Sequence, residues 1–148
     1  MGEPGEMKPR AAWMLGAALE ALRVMEASRI AVLTPYGARV NTIVQDYIER
    51  RGFAVPRFGT FAEEDDSRAA RIRATSVRDA AIALGKAPEV DAVFVSCTSL
   101  RVVEVIEEIE AEIGKPVTSS NHAMAWHALR LAGVTTKLEG FGRLFARL

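Results

Sequence analysis

The sequence DAVFVSCTSL, residues 91–100, is the stretch on which the expected fold depends. Its β-branched and apolar run predicts a strand over 91–96 that is buried on both faces, as in a parallel sheet. Cys97, the only cysteine of the chain, follows at once, and a helical pattern is expected to begin at Leu100. A strand that leads into a helix through a Ser-Cys-Thr-Ser corner indicates an α/β fold with chemistry at that corner.

Helical and extended patterns alternate along the rest of the chain. The predicted helices cover 10–27, 38–51, 67–74, 76–85, 100–113 and 121–131, and the other predicted strands cover 29–34, 53–61 and 116–119. Pro56 favours an edge position for its strand, and Ser76 and Asn121 are expected to cap their helices. The alternation predicts a three-layer α/β sandwich, a parallel sheet of about four strands with helices on both faces.

Length and composition predict one globular domain. At 148 residues, 49% apolar and 26% charged, the chain is expected to have a flexible lead-in over 1–9 and a single domain over 10–148. The 19 basic and 19 acidic residues balance, so neither nucleic acid nor an anionic membrane is an expected partner. No signal sequence or membrane span is recognisable, and a single cysteine forms no internal disulfide, which favours the cytoplasm.

Three corners at the predicted strand ends carry candidate site residues. They are 34–36, 96–99 and 119–121, and ligands of such folds bind beyond the carboxyl ends of the strands. A helix N-terminus behind Cys97 would favour the thiolate, which can transfer a proton or act as a nucleophile. Thr98 and Ser99 offer backbone amides and hydroxyls to a carboxylate, and Tyr36 offers a phenol.

Simpler interpretations of the same residues stay open. Buried cysteines are often inert packing, a tyrosine after proline is often a turn residue, and capping alone would account for Asn121. His122 and His127 are five residues apart and do not share a helix face, so no metal site is expected. No glycine-rich phosphate loop is present to indicate a nucleotide.

Four segments, in their order along the chain, resemble the aspartate/glutamate racemase superfamily. Its branch of maleate cis–trans isomerases, arylmalonate decarboxylases and ectoine-utilisation proteins is the most similar, over about residues 11–145. The segments are TPY…VN at 34–41, VFVSCTSLR at 93–101, SSN…AW…LRLAG at 119–133 and GFGRL at 140–144.

This resemblance implies a cofactor-free enzyme with two α/β lobes and its active site in the cleft between them. Cys97 matches the catalytic cysteine of the second lobe, Tyr36 a tyrosine that donates to the substrate carboxylate, and Thr98 a residue whose amide binds the same oxygens. Ser99 is grouped with Thr98, and Asn41 and Asn121 fall in motif positions with a role in carboxylate binding. Only the second lobe is covered, so the first lobe and its cysteine are expected from another chain, a second copy or a separate first-lobe chain.

Three hypotheses follow. The first is a cysteine-dependent decarboxylase, isomerase or racemase that acts on a small carboxylic acid. The second is a truncated or degenerate lobe without turnover, a binding module or fragment whose exposed apolar surface is covered by oligomerisation. The third is a flavodoxin-like signalling or phosphate-binding domain, which would need an acidic cluster at the strand ends; the acidic run at 63–66 is its only support.

Overall fold

The structure is a computed structural model that describes residues 9–148. The expected lead-in lies outside the described residues except for Pro9, which begins the first helix. The strands are β1 (Arg29–Thr34), β2 (Ala54–Thr60), β3 (Ala92–Val95) and β4 (Val117–Ser119). The helices are α1 (Pro9–Val24), α2 (Ala38–Glu49), α3 (Asp66–Ala69), α4 (Ala74–Gly85), α5 (Ile106–Ile113), α6 (Ser120–Leu131) and α7 (Gly142–Phe145).

The four strands form one parallel sheet in the order β2-β1-β3-β4. The central strands β1 and β3 are buried almost throughout because helices cover both faces, and this explains their continuous apolar sequences. Strand β2 lies at an edge and is mostly exposed, as Pro56 predicted. The predicted α/β class and the four-stranded parallel sheet are therefore confirmed.

Two apolar cores lie on opposite faces of the sheet. Successive side chains of a strand point to opposite faces, so Phe94 packs in the core that contains Leu22 and Trp126, whereas Val93 and Val95 pack in the other. The first core lies under α1, α2 and α6, and the second lies under α4 and α5. Cys97 continues the second core, so its side chain is on the α4 and α5 face.

The helix expected from Leu100 begins only at Ile106, after a single 3-10 turn at Val103–Val105. Leu100 and Val102 are buried in the second core as part of a loop. The helix prediction for residues 100–105 is therefore wrong. Apolar spacing at these positions indicates burial, and a loop that folds back on the sheet buries them as a helix would.

Both predicted helix caps are wrong. Helix α4 begins at Ala74, so Ser76 lies inside its first turn, and no side chain caps the helix. Helix α6 begins at Ser120 because the hydroxyl of Ser119, the last residue of β4, accepts a hydrogen bond from the His122 amide at 3.3 Å. Asn121 is thereby free for another contact.

Within residues 9–148, no helix has the length and apolar character needed to cross a membrane.

Candidate active site

The three predicted corners meet at one edge of the sheet. Leu33 is paired with Val95, and Val95 is paired with Ser119, so β1, β3 and β4 end at nearly the same level. The segments 34–36, 96–99 and 119–121 therefore leave neighbouring strands side by side, as expected from the parallel topology.

Cys97 lies directly after β3 and is 3% exposed. Its sulfur accepts a hydrogen bond from the Ser99 amide at 3.3 Å. The helix N-terminus expected behind the thiol is absent, because α5 begins nine residues later. The polar contact of this sulfur is thus one backbone N–H within a tight turn rather than a helix N-terminus.

The phenol of Tyr36 lies against the thiol from the neighbouring corner. Burial raises the pKa of Tyr36 well above its usual range, and the adjacent Cys97 adds to this through its charge and through hydrogen bonding, with a smaller effect from Asp66. A phenol with a raised pKa keeps its proton at neutral pH. Tyr36 is therefore a hydrogen-bond donor beside Cys97.

Two side chains hold the backbone of Tyr36 in place. Its carbonyl accepts hydrogen bonds from Asn41 Nδ2 at 2.8 Å and from Thr60 Oγ1 at 2.6 Å. Asn41 Oδ1 in turn accepts a hydrogen bond from the Thr34 hydroxyl at 2.5 Å. The oxygen of that hydroxyl accepts a hydrogen bond from the Tyr36 amide at 3.2 Å. The carboxamide of Asn41 is thus engaged at both ends inside the corner.

Thr60 was not among the predicted site residues. It lies at the end of β2 and pairs with Thr34 in the sheet. The feature that identifies Thr60 is the register of the parallel strands β1 and β2, which places their ends together. This register is not visible in a single sequence.

The segment after Cys97 presents free hydrogen-bond donors. Among residues 9–148, the Thr98 amide and the hydroxyls of Thr98 and Ser99 have no partner. Asn121 Nδ2 donates to the Thr98 carbonyl at 2.9 Å and so ties this segment to the first turn of α6. A groove of about 260 Å³ opens here, and its walls include Thr98, Ser99, Ser119 and Asn121.

Tyr36 also lines an apolar cavity of about 140 Å³. Its walls come from α1 and α2, with the polar residues Ser96 and Ser120 at the sheet edge. Val40, at its rim, is 44% exposed, and Trp13 of α1 is 53% exposed. The sequence did not predict this cavity, because it forms only where two helices separated by a strand pack beside each other.

The buried histidine next to the site has a structural role. His122 Nε2 lies 2.7 Å from the Phe141 carbonyl, which can only accept, so Nε2 carries the proton and Nδ1 accepts from the Thr118 hydroxyl at 3.0 Å. Burial lowers the pKa of His122 to about 4, which keeps the ring neutral. His122 thus joins the C-terminal segment to β4.

In the part of the chain that the structure describes, no three His, Cys, Asp or Glu side chains are grouped to hold a metal ion.

Comparison with known proteins identifies relatives over most of the chain. The profile of the arylmalonate decarboxylase family matches residues 8–145. Maleate isomerase of Nocardia farcinica is 33% identical over 130 residues, which cover 87% of this chain and 51% of that protein. Arylmalonate decarboxylase of Bordetella bronchiseptica is 31% identical over 134 residues, which cover 89% and 56%.

Solved structures share the fold. A Nocardia farcinica maleate cis–trans isomerase variant with a covalently bound succinylcysteine intermediate has a TM-score of 0.86 and 30% identity, and the match covers 91% of this chain and 55% of that one. A crystal structure of arylmalonate decarboxylase has a TM-score of 0.81 and 30% identity, with 89% and 59% covered. The chain spans about half the length of the curated relatives it matches, which fits the predicted single lobe of the aspartate/glutamate racemase type.

Proposed function

Because this chain belongs to the arylmalonate decarboxylase family, we propose that it supplies one half of a cofactor-independent, cysteine-dependent active site for a small carboxylic acid. The observation that carries the proposal is the placement of the Cys97 thiol beside the protonated phenol of Tyr36 at the carboxyl edge of the sheet. The named reactions of the relatives, maleate isomerisation and arylmalonate decarboxylation, define the class of substrate.

In this proposal Cys97 is the acid and base. When the bond between the α-carbon and a carboxyl group breaks, CO2 leaves and its bonding electrons form an enediolate. The Cys97 thiol then gives its proton to the α-carbon, and the thiolate recovers a proton from water. With a maleate-like substrate, the first-lobe cysteine of the other chain would add to the double bond as the nucleophile, and Cys97 would assist as the second-lobe cysteine.

Tyr36 and Thr98 bind the developing negative charge on the carboxylate oxygens. The Thr98 amide and the hydroxyls of Thr98 and Ser99 are donors without a partner among the described residues, and the Tyr36 phenol lies beside the Cys97 thiol. Donors that are fixed before the reaction stabilise an enediolate without reorganisation. Asn41 and Asn121 act as positioning residues. Each donates its side-chain amide to a backbone carbonyl of the site, Asn41 to that of Tyr36 and Asn121 to that of Thr98.

The site is proposed to be completed by another chain, either a second copy or a separate first-lobe chain. This is supported by the match to about half of each relative and by the exposed apolar side chains of Trp13 and Val40 near the same edge. The cytoplasmic location stays a prediction of the sequence.

Turnover of phenylmalonate and of maleate tests the proposal, with the chain alone and with any chain that purifies with it. Cys97→Ser should lower turnover by about a hundredfold or more, because general acid–base groups contribute about 10² to 10⁴. Thr135→Ser, an exposed hydroxyl variant outside the site, is the matched control and should be unchanged. Equal turnover of wild type and Cys97→Ser would contradict the proposed chemistry.

A second candidate function is binding without turnover. The near-complete burial of Cys97 favours it, since a thiol with 3% exposure reaches a substrate only if the covering groups move. A malonate-type anion would then bind and protect Cys97 from iodoacetamide, while no combination of chains released CO2 or converted maleate.

A further inference from the structure

A groove of about 490 Å³ opens where α4 begins. Three arginines line it, Arg71 and Arg73 from the segment before α4, and Arg101 from the segment after Cys97. The remaining wall residues are uncharged, namely Ala70, Ile72, Ala74 and Thr75. We call this the arginine groove.

Two of the three arginines of the arginine groove have no ion-pair partner among the described residues. Arg71 and Arg73 have no carboxylate within 4 Å among residues 9–148, and no carboxylate lines the groove. Arg101 pairs with Glu104 at 3.0 Å, but both side chains are more than half exposed. An exposed ion pair of this kind is weak, typically worth about 0.2 to 1 kcal/mol. The charge is local, because the chain as a whole is neutral.

Further donors without partners line the same groove. Ala74 and Thr75 are the first two residues of the 12-residue helix α4. Within the described chain, their amides and the Thr75 hydroxyl donate no hydrogen bond. Guanidinium groups present pairs of N–H donors whose spacing fits the oxygens of a carboxylate or phosphate. The complementary ligand is therefore a small oxyanion.

The arginine groove adjoins the candidate active site. Arg101 belongs to its wall and also to the wall of the groove that contains Thr98 and Ser99. Helix α4 runs back from the carboxyl edge of the sheet, so its N-terminus lies on the same edge as Cys97. The two grooves are thus neighbours without being the same site.

We propose that the arginine groove is a binding site for an anionic oxygen group, a phosphate or a carboxylate, of a small molecule. The group belongs either to the far end of the molecule that enters the Cys97 site or to a separate anion. The anion site does not depend on catalysis by Cys97.

Inorganic phosphate tests the proposal by NMR titration of the complete chain. The amides of Ala74 and Thr75 should shift in a saturable way. Arg71→Gln combined with Arg73→Gln should weaken phosphate binding by about tenfold or more, because two charge-assisted hydrogen-bonding groups are lost. Arg50→Gln combined with Lys137→Gln removes the same charge from two exposed residues elsewhere and should leave the affinity within about twofold.

An absence of saturable shifts in the wild type, or equal weakening in the two double variants, would overturn the anion site. Cys97→Ser should bind phosphate as the wild type does, so a failure of the catalytic proposal is distinguishable from a failure of this one. A phosphonobutyrate probe identifies the source of the anion. If one molecule spans both grooves, the probe protects Cys97 from alkylation by iodoacetamide, and the Arg71/Arg73 double variant loses that protection. If the anion is separate, phosphate occupies the arginine groove, and the rate at which iodoacetamide alkylates Cys97 is unchanged.

Discussion

Replacement of Asn41 by alanine should loosen the corner that carries Tyr36. The variant removes the hydrogen bond from Asn41 Nδ2 to the Tyr36 carbonyl and the one from the Thr34 hydroxyl to Asn41 Oδ1. At about 0.5 to 1.5 kcal/mol for each bond, the free energy of unfolding should fall by roughly 1 to 3 kcal/mol. The remaining bond from Thr60 keeps the Tyr36 carbonyl partly satisfied, so the fold should survive.

The neighbouring residue Thr42 provides the matched control. Its exposed hydroxyl bonds only to the Ala38 carbonyl within α2, so Thr42→Ala should change stability by less than about 0.5 kcal/mol. Urea unfolding without any ligand measures both variants. A positioning role for Asn41 predicts this difference in the free protein, and in an active assembly it also predicts a fall in kcat with little change in KM.

The opposite result would refute this reasoning about Asn41. If Asn41→Ala is as stable as Thr42→Ala but binds carboxylates more weakly, Asn41 contacts the ligand directly, as the family resemblance first implied. Asn41→Asp separates the two roles further. It places a carboxylate oxygen against the Tyr36 carbonyl, so it should be less stable than Asn41→Ala near neutral pH.

Three further predictions concern the C-terminal segment. Gly142→Ala should destabilise the protein by about 2 kcal/mol or more in urea unfolding, because φ is +75° and the new methyl group would lie 2.7 Å from Ile106 Cγ2; an unchanged midpoint would contradict this. Burial raises the pKa of Glu110, so the contribution of this side chain to stability is greatest below its pKa in the unfolded chain and declines as pH rises through its pKa in the folded protein. Glu110→Gln loses one of the two hydrogen bonds that the carboxyl group accepts from backbone amides. In urea unfolding measured against pH, it should not show this decline. The pKa of His122 falls from 6.5 to about 4 on folding, so the free energy of unfolding should decrease by roughly 3 kcal/mol as pH falls between these values. If His122→Asn loses stability with the same dependence on pH, the loss belongs to other groups.

The sheet and the edge that carries the site were predictable from local sequence. Buried parallel strands need apolar side chains on both faces, so 29–34 and 92–95 are recognisable without knowledge of their partners. Once these strands are parallel, their carboxyl ends must share an edge. Cys97 and Tyr36 follow such ends directly, and the expectation that they lie together therefore required no long-range information.

Helix boundaries near the site were less predictable. The residues from Leu100 to Val105 have helical apolar spacing but form a buried loop and one 3-10 turn. Hydrophobic spacing reports which positions are buried and does not report the backbone that buries them. The same limitation applies to Ser119, whose capping hydroxyl is decided by where β4 ends.

The sequence by itself determined the α/β class, the parallel sheet and the position of a lone cysteine at its carboxyl edge, because each depends on a pattern within one strand or helix. Only the tertiary structure decided that one amide rather than a helix N-terminus faces the Cys97 sulfur, that Asn41 and Thr60 hold the Tyr36 carbonyl, and that three arginines share a groove. These contacts join residues from different elements. Their geometry depends on strand register and helix packing, which no single segment encodes.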